Sequence, residues 1–216
     1  MSRLDQALVE RGLCESREKA KRAIMAGQTK INGHPARKPS DPVKPDDELT
    51  LATPEKFVSR GGLKLEHALN HFHIEVSGQT AIDFGASTGG FTDCLLQRGA
   101  AKVYAVDVGK GQLAWKLRRD PRVVVMEKTN ARSLTPANFP PPFIPADRAV
   151  IDCSFISLRK ILPPAVALLR PPARIIALIK PQFEAGKAEA DRGAGVIRDP
   201  AIHQRVLSEL NQFVIA

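Results

Sequence analysis

The sequence predicts an α/β fold: a parallel sheet covered by helices on both faces, preceded by a small α+β module. Three observations lead there. From residue 80, apolar runs at 80–84, 102–107, 122–126, 147–152 and 174–179 alternate with helical stretches at 90–98, 111–119 and 155–169, and a further helix is expected at 199–212. Such alternation builds βαβ units. Ionisable residues (Asp83, Asp152 and Lys180) stand at the ends of three of these runs, and the carboxyl ends of parallel strands open onto the ligand crevice. Residues 1 to about 55 follow a different pattern of short helices and a hairpin.

Composition narrows the class. A chain of 216 residues can bury a real core. Its formal charge of +9 points to a polyanionic partner such as nucleic acid, the alternative being a merely soluble basic protein. The cysteines Cys14, Cys94 and Cys153 form no CxxC pair, so neither a zinc site nor a disulfide framework is suggested, and reduced thiols in the cytoplasm are expected. No basic segment followed by an apolar core opens the chain, and no apolar stretch approaches the ~18 residues that span a bilayer.

In the first segment, Arg3 to Arg11 reads as a short amphipathic helix through Leu4, Ala7 and Leu8, closed by Gly12. Ser16 is the expected N-cap of a second helix, Arg17 to Ala26, ended by Gly27. Thr29 to Ile31 reads as a strand, Asn32-Gly33 as a tight turn, His34 to Arg37 as the return, and Leu49 to Leu51 as a last short strand. Residues 1–40 hold nine Lys/Arg against four Asp/Glu, so one face can be basic; a solvated helix face is the alternative. The whole segment resembles the S-four-type RNA-binding module, carried by Arg3-Leu4-Asp5, Gly12-Leu13, Ser16-Arg17, Gly27 and Lys30-Ile-Asn-Gly33. The resemblance implies that Arg3, Arg17, Lys21, Arg22 and Lys30, with Arg60 from the next segment, meet RNA. Basic side chains on a rigid helix suit phosphates, while the narrow A-form major groove resists base readout. The expected domains are 1–55 for this module, a linker over 56–62 (introduced by Thr53-Pro54 and containing Gly61-Gly62), and 63–216 for the sheet domain, whose first helix runs from Leu63 to about Phe72.

Ala81 to Gly90 reads as a strand, a Gly-rich turn and a helix start with the pattern D-x-G-x-x-x-G-G. Ser87 stands where a nicotinamide loop would have its second Gly, and no Walker lysine follows. The spacing suits S-adenosylmethionine. Gly85 and Gly89 let backbone approach its amino-acid part, Ser87 and Gly90 of the same turn are counted with them as cofactor-binding, and Asp83 meets the positive charge there directly or through water. Asp107 ends the next strand, where an acid accepts ribose hydroxyls; a strand-end cap is the alternative. Asn130 can contact adenine or simply form a turn.

The chain from Phe57 onward resembles the TlyA family. The motifs are Ser59-Arg-Gly-Gly-Leu-Lys-Leu65, Asp83-Phe-Gly-Ala-Ser-Thr-Gly-Gly-Phe-Thr92, Asp107-Val-Gly-Lys-Gly-Gln-Leu113, Thr129-Asn-Ala-Arg132, Asp152-Cys-Ser-Phe-Ile-Ser157 and Lys180-Pro-Gln-Phe-Glu184. That family comprises bacterial ribosomal RNA cytidine 2′-O-methyltransferases, historically labelled hemolysin A. It pairs an S-four-type module with an FtsJ-like domain. The resemblance implies a Rossmann-like S-adenosylmethionine-dependent methyltransferase sheet, ribosomal RNA or ribosomal subunits as partner, no membrane, no metal, and a monomer. Of the family's Lys-Asp-Lys-Glu set, the motifs carry over Lys64, Asp152 and Lys180. The family's Glu lies in a later strand beyond Ala216, and Glu184, in the loop after Lys180, does not replace it. The sheet is therefore expected to lack its last strands, with Phe213-Val-Ile as the start of a sixth, and feeble activity is expected of this length of chain.

A ribose 2′-hydroxyl must lose its proton to attack a sulfonium methyl. A neutral lysine can take it, although an ordinary lysine has pKa about 10.4; burial and a neighbouring cation lower that value, and a carboxylate raises it. Lys180 is the expected base, Lys64 the neighbouring cation and Asp152 the orienting group. The alternatives are an exposed helix residue for Lys64 and a structural ion pair for Asp152 and Lys180. Gln182 and Phe183 can hold the target base or belong to a plain loop, and Trp115 is assigned to helix packing rather than to a nucleotide platform. Two other functions stay open: an RNA-binding protein with an impaired methyltransferase domain, and a pore-forming hemolysin, which would need a membrane-inserting segment.

Overall fold

The computed structural model describes residues 1–52, 55–186, 189, 191 and 195–215; the Thr53-Pro54 start of the expected linker lies outside them. The chain forms two compact units, Met1–Lys56 and Phe57–Ala216.

In the first unit β1 (Ser2–Arg3) leads into helix α1 (Leu4–Glu10), and Ser16 caps α2 (Arg17–Met25) by accepting from Lys19 N–H at 3.3 Å. Strands β2 (Thr29–Ile31), β3 (His34–Pro35) and β5 (Leu49–Leu51) make an antiparallel sheet in the order β3-β2-β5, while β4 (Pro42–Val43) pairs with β1. Asn32-Gly33 turns the β2–β3 hairpin, and the Asn32 amide links to Asp47 and to Glu48 N–H. Leu4, Ala7, Leu8, Ala20, Ile24, Val43 and Leu49 form the core, which is the amphipathic pattern that the spacing anticipates.

The second unit begins earlier than the sequence suggests. Phe57 is only 3% exposed within its core, Val58 N–H donates to Asp93 at 2.8 Å, and helix α3 already starts at Gly61 and runs to His71. Residues 57–62, read as linker, are thus packed into this unit. Strands β6 (Thr80–Phe84), β7 (Lys102–Val106), β8 (Val123–Met126), β9 (Ala146–Ile151) and β10 (Leu169–Ala177) form one parallel sheet in the order β10-β9-β6-β7-β8. Successive residues face opposite sides. Ala81, Val103, Ala105 and Val150 join a core with α3 and α4 (Gly90–Gln97), while Ile82, Phe84, Tyr104, Val106, Ala149 and Ile151 join another with α6 (Leu162–Ala167) and α8 (Pro200–Ile215). Both faces of β6, β7 and β9 are therefore covered.

Three elements differ from expectation. The helix expected at 111–119 is the single turn α5 (Trp115–Arg118), because the chain from Asp107 to Gln112 is tied down by its own hydrogen bonds to Asp107 and Glu127. The stretch 155–169 opens with Phe155 at φ 62° and holds only α6 after a short turn at Leu158–Lys160. Residues 213–215 continue α8 rather than starting a sixth strand; Val206 and Leu210, one turn apart, are buried on that helix, so helical spacing prevails. Strand β10 is exposed from Arg170 to Arg174 and half-buried over Ile175–Ala177 rather than buried, since it is a sheet edge with β9 as its neighbour. One-turn helix α7 (Pro181–Glu184) follows it. Among the described residues no helix is long and apolar enough to cross a membrane.

Candidate active site

The strand order reverses between β6 and β9: the chain leaves β6 toward β7 on one side and returns to β9 on the other. At such a switch point the loops part and leave a crevice beyond the carboxyl ends. Gly85 follows β6 and Asp152 follows β9, joined by Asp152 N–H donating to Phe84 O at 3.1 Å. Two adjoining cavities open here. One of about 640 Å³ is lined by Ser59, Arg60, Lys64, Ser87, Asp152 and Lys180, among others. The second, about 330 Å³, is lined by Asp107, Val108, Asn130, Cys153, Phe155 and neighbours, and shares Gly85, Ser87, Asp152 and Ser154 with the first. A larger apolar cleft of about 1030 Å³ lies among Leu162, Val166, Leu207 and Phe213 and has no titratable group in its lining.

The turn after β6 takes its shape from backbone that side chains resist. Gly85 has φ 84°, and a Cβ there would lie 3.1 Å from Asp152 O; Gly89 has φ 99°. Ser87 holds φ 49° and donates its N–H to Asp107 Oδ2 at 2.8 Å, while Asp107 Oδ1 accepts Gly109 N–H at 2.7 Å. Asp107 therefore shapes both loops, and it also lines the smaller cavity. Asn130 lines that cavity too, with Oδ1 accepting Arg132 N–H at 3.1 Å, so turn and contact roles coexist.

Asp83 is fully buried beneath this turn. Burial pushes its carboxyl up to about 7, Thr92 opposes the shift, and Asp152 and Asp107 add to it. Thr92 Oγ1 donates to Oδ2 at 2.7 Å, whereas Oδ1 is buried without a hydrogen-bond partner. Burial also pushes the Cys153 thiol up to about 12, so it is no nucleophile near neutral pH.

Lys64, Asp152 and Lys180 come from α3, the β9 end and the residue before α7, and they converge. Lys180 Nζ lies 2.6 Å from Asp152 Oδ1, and Lys64 Nζ lies 3.6 Å from Asp152 Oδ2. Lys180 also donates to Ser154 Oγ at 2.9 Å and to Asp152 O at 3.3 Å. The Lys180 side chain is 18% exposed and that of Lys64 52%, so the first is largely enclosed and the second is open to solvent at the cavity wall. Gly90 and Arg60 line the larger cavity beside them.

The sequence did not single out Ser154, Phe155 or the tether made by Glu184. Ser154 and Phe155 lie within Asp152-Cys-Ser-Phe, so the motif itself carried the signal. Phe155 stands almost fully exposed at the mouth of the smaller cavity, its ring 5.2 Å from that of Phe183. Glu184 accepts from Ser157 Oγ at 2.6 Å and Leu158 N–H at 2.7 Å, tying the segment after Lys180 to the one after Asp152; no spacing rule reveals such a contact.

In the N-terminal unit Arg3 and Arg17 both grip Asp5, at 3.0 and 2.9 Å. The Arg3 hydrogen bond, helped by Arg17, holds this buried carboxyl down at about 2 against burial. Lys21 pairs with Glu18 at 2.8 Å, Arg22 reaches Glu18 O at 3.4 Å, and Lys30 is exposed on β2. Arg3 and Arg17 are half-exposed and partly committed to the fold.

Residues 57–215 match the FtsJ-like methyltransferase family and residues 2–49 the S4 domain. The 16S/23S rRNA (cytidine-2′-O)-methyltransferase TlyA of Mycobacterium tuberculosis is 50% identical over 94% of this chain and 75% of its own length. Hemolysin A of Brachyspira hyodysenteriae is 43% identical over 95% of this chain and 85% of its own. A solved Streptococcus thermophilus structure, 46% identical, superposes with a TM-score of 0.71 over 98% of this chain and 77% of that one.

Proposed function

The chain belongs to the TlyA family of FtsJ-like methyltransferases, and from that premise we propose that it is an S-adenosylmethionine-dependent 2′-O-methyltransferase acting on a cytidine of ribosomal RNA. The observation that carries the proposal is the convergence of Lys64, Asp152 and Lys180 in a cavity that shares Gly85 and Ser87 with the one holding Asp107 and Asn130.

The residues fit the cofactor. The left-handed backbone at Gly85 and Gly89 leaves no room for a Cβ at the first, the orphaned Asp83 Oδ1 leaves a buried acid unanswered, and Asp107 keeps acceptor capacity beside the smaller cavity. Asp107 and Asn130 would hold the nucleoside part, and the turn from Gly85 to Gly90 the amino-acid part. When bound, S-adenosylmethionine supplies an electrophilic methyl on a sulfonium.

Lys180 takes the proton of the ribose 2′-hydroxyl at Nζ. Asp152 and Ser154 fix that nitrogen, so the group acts mainly by position. Lys64, on the other Asp152 oxygen, draws on that carboxylate and leaves Lys180 a smaller share of it. The exposed Phe155 ring, with Phe183 and Gln182, offers the target base a face to stack on and an amide to pair with. The S4 module supplies affinity for RNA phosphates through Arg3, Arg17, Lys21, Arg22 and Lys30, joined by Arg60. The enzyme works as a monomer in the cytoplasm.

Incubation with methyl-labelled S-adenosylmethionine and ribosomal subunits, followed by nucleoside mass spectrometry, tests this. The expected product is 2′-O-methylcytidine. Base-methylated nucleosides would overturn the chemistry, and RNA binding without transfer, both in this length of chain, from which feeble activity is expected, and in one that reaches the family's later Glu, would favour a pure RNA-binding role.

A further inference from the structure

Trp115, the single tryptophan of the chain, opens α5 and is 71% exposed. Helix packing does not account for it: α5 is anchored by Leu113 and Leu117, which are buried against the turn at Gly89. The Arg119 guanidinium instead lies 5.9 Å from the indole centroid and has no ion pair among the described residues. From Val108 to Arg119 the chain carries Lys110, Lys116, Arg118 and Arg119 and no acid. Arg118 is engaged by Glu127 and Lys116 by Asp93, which leaves Lys110 and Arg119 free of ion pairs among the described residues.

The residue before the tryptophan is tied to the wall of the active-site crevice. Ala114 N–H donates to Thr88 O at 3.0 Å, and Thr88 lines the cavity that holds Lys64, Asp152 and Lys180. Asp93, 2.8 Å from Lys116 Nζ, also accepts Val58 N–H, next to the Ser59 and Arg60 of the same cavity wall. A nucleotide seated in that cavity belongs to a polymer, whose neighbouring nucleotides continue over the surface around the crevice.

We propose that Trp115, backed by Arg119, is a stacking seat for an unpaired RNA base flanking the modified nucleotide. The inference rests on the RNA methyltransferase reading above. An indole with a guanidinium already against it is preorganised for a third planar group, and base–aromatic stacking tolerates any sequence. Lys110, free of ion pairs among the described residues, suits an adjoining phosphate. One ring set among cations offers too little apolar area for a protein core or a lipid surface, whereas it matches one nucleobase and its phosphates.

Because the chain has one tryptophan, its emission reports on this residue alone. Titrating the full chain with a cytidine-containing ribosomal RNA hairpin, with occupancy followed separately by anisotropy of a labelled hairpin, should quench the emission in step with binding. Trp115→Ala should weaken hairpin affinity about tenfold, Trp115→Phe should retain most of it, and both should bind S-adenosylmethionine like the wild type, which also reports that they are folded. Unquenched emission at full occupancy, or wild-type affinity in Trp115→Ala, overturns the seat while leaving the methyltransferase reading intact. An emission that moves to shorter wavelength with protein concentration alone would assign the ring to a second copy of the chain and overturn it too. Absence of both hairpin binding and methyl transfer in the wild type removes the underlying reading along with this one.

Discussion

On the proposed reading, in which the turn above Asp83 holds the amino-acid part of S-adenosylmethionine, Asp83 should make cofactor affinity depend on pH. In the free protein burial holds its carboxyl at about 7, so below that pH it carries a proton. A group with a raised value stabilises the fold fully below its unfolded value, near 3.9, and loses that contribution as pH rises through about 7. The ammonium of S-adenosylmethionine reverses the preference, since a cation near the crevice favours the carboxylate. Binding must then release the proton, and affinity must fall as the solution grows more acidic. If the bound form ionises well below pH 5, affinity should drop about 25-fold between pH 6.5 and pH 5, equivalent to about 1.9 kcal/mol. Calorimetry in two buffers of different ionisation heat measures both the constant and the proton count, which should approach one near pH 5. Asp83→Asn keeps the volume and the Thr92 contact but cannot ionise, so its affinity should be flat over this range and weaker than the wild type at pH 6.5. A wild-type affinity constant from pH 6.5 to pH 5, or an equal slope in Asp83→Asn, would refute the reasoning.

Other substitutions separate the roles further. Lys180→Ala should abolish methyl transfer while leaving cofactor affinity nearly unchanged in calorimetry, and Lys180→Arg should fail as well because a guanidinium cannot give up a proton at working pH; turnover by either would sink the assignment of the base. Asp107→Ala should weaken S-adenosylmethionine at least tenfold, about 1.4 kcal/mol, and Asp107→Asn should lose less because one amide oxygen can still accept a loop N–H; equal affinity in Asp107→Ala and wild type would remove it from the site. RNA affinity should fall steeply with salt, and each of Lys21→Ala and Lys30→Ala should flatten the log–log slope by about 0.7 to 0.9; slopes identical to the wild type would place the phosphates elsewhere. Asp5, held at about 2 in the folded module, stabilises it above the ordinary carboxyl value, and that contribution should vanish as pH falls from about 4 toward 2; thermal melts of Asp5→Asn should show a weaker acid dependence over that window than the wild type.

Alternation of apolar runs was enough to place all five strands of the sheet and its parallel sense, because burial on both faces leaves a signal in consecutive residues such as Val103 to Val106. The turn at glycines 85 and 89 and the strand-end position of Asp107 were legible for the same local reason: left-handed backbone favours glycine, and the end of an apolar run fixes where the next residue stands. The hairpin at Asn32-Gly33 and the Ser16 cap are equally local. What involves residues far apart in the chain was not legible. Phe57 sits in a core built from residues beyond 60, so a Gly-flanked stretch that looks like a hinge is packed. Ser154 and Glu184 matter through contacts to Lys180 and to Ser157 that no spacing announces. Arg3 and Arg17 read as free cations until the fold brings both onto Asp5, and Trp115 reads as packing until the fold leaves it in solvent. Local backbone chemistry is written in neighbouring residues, whereas pairing, burial and charge environment are set by which distant segments the sheet order makes adjacent.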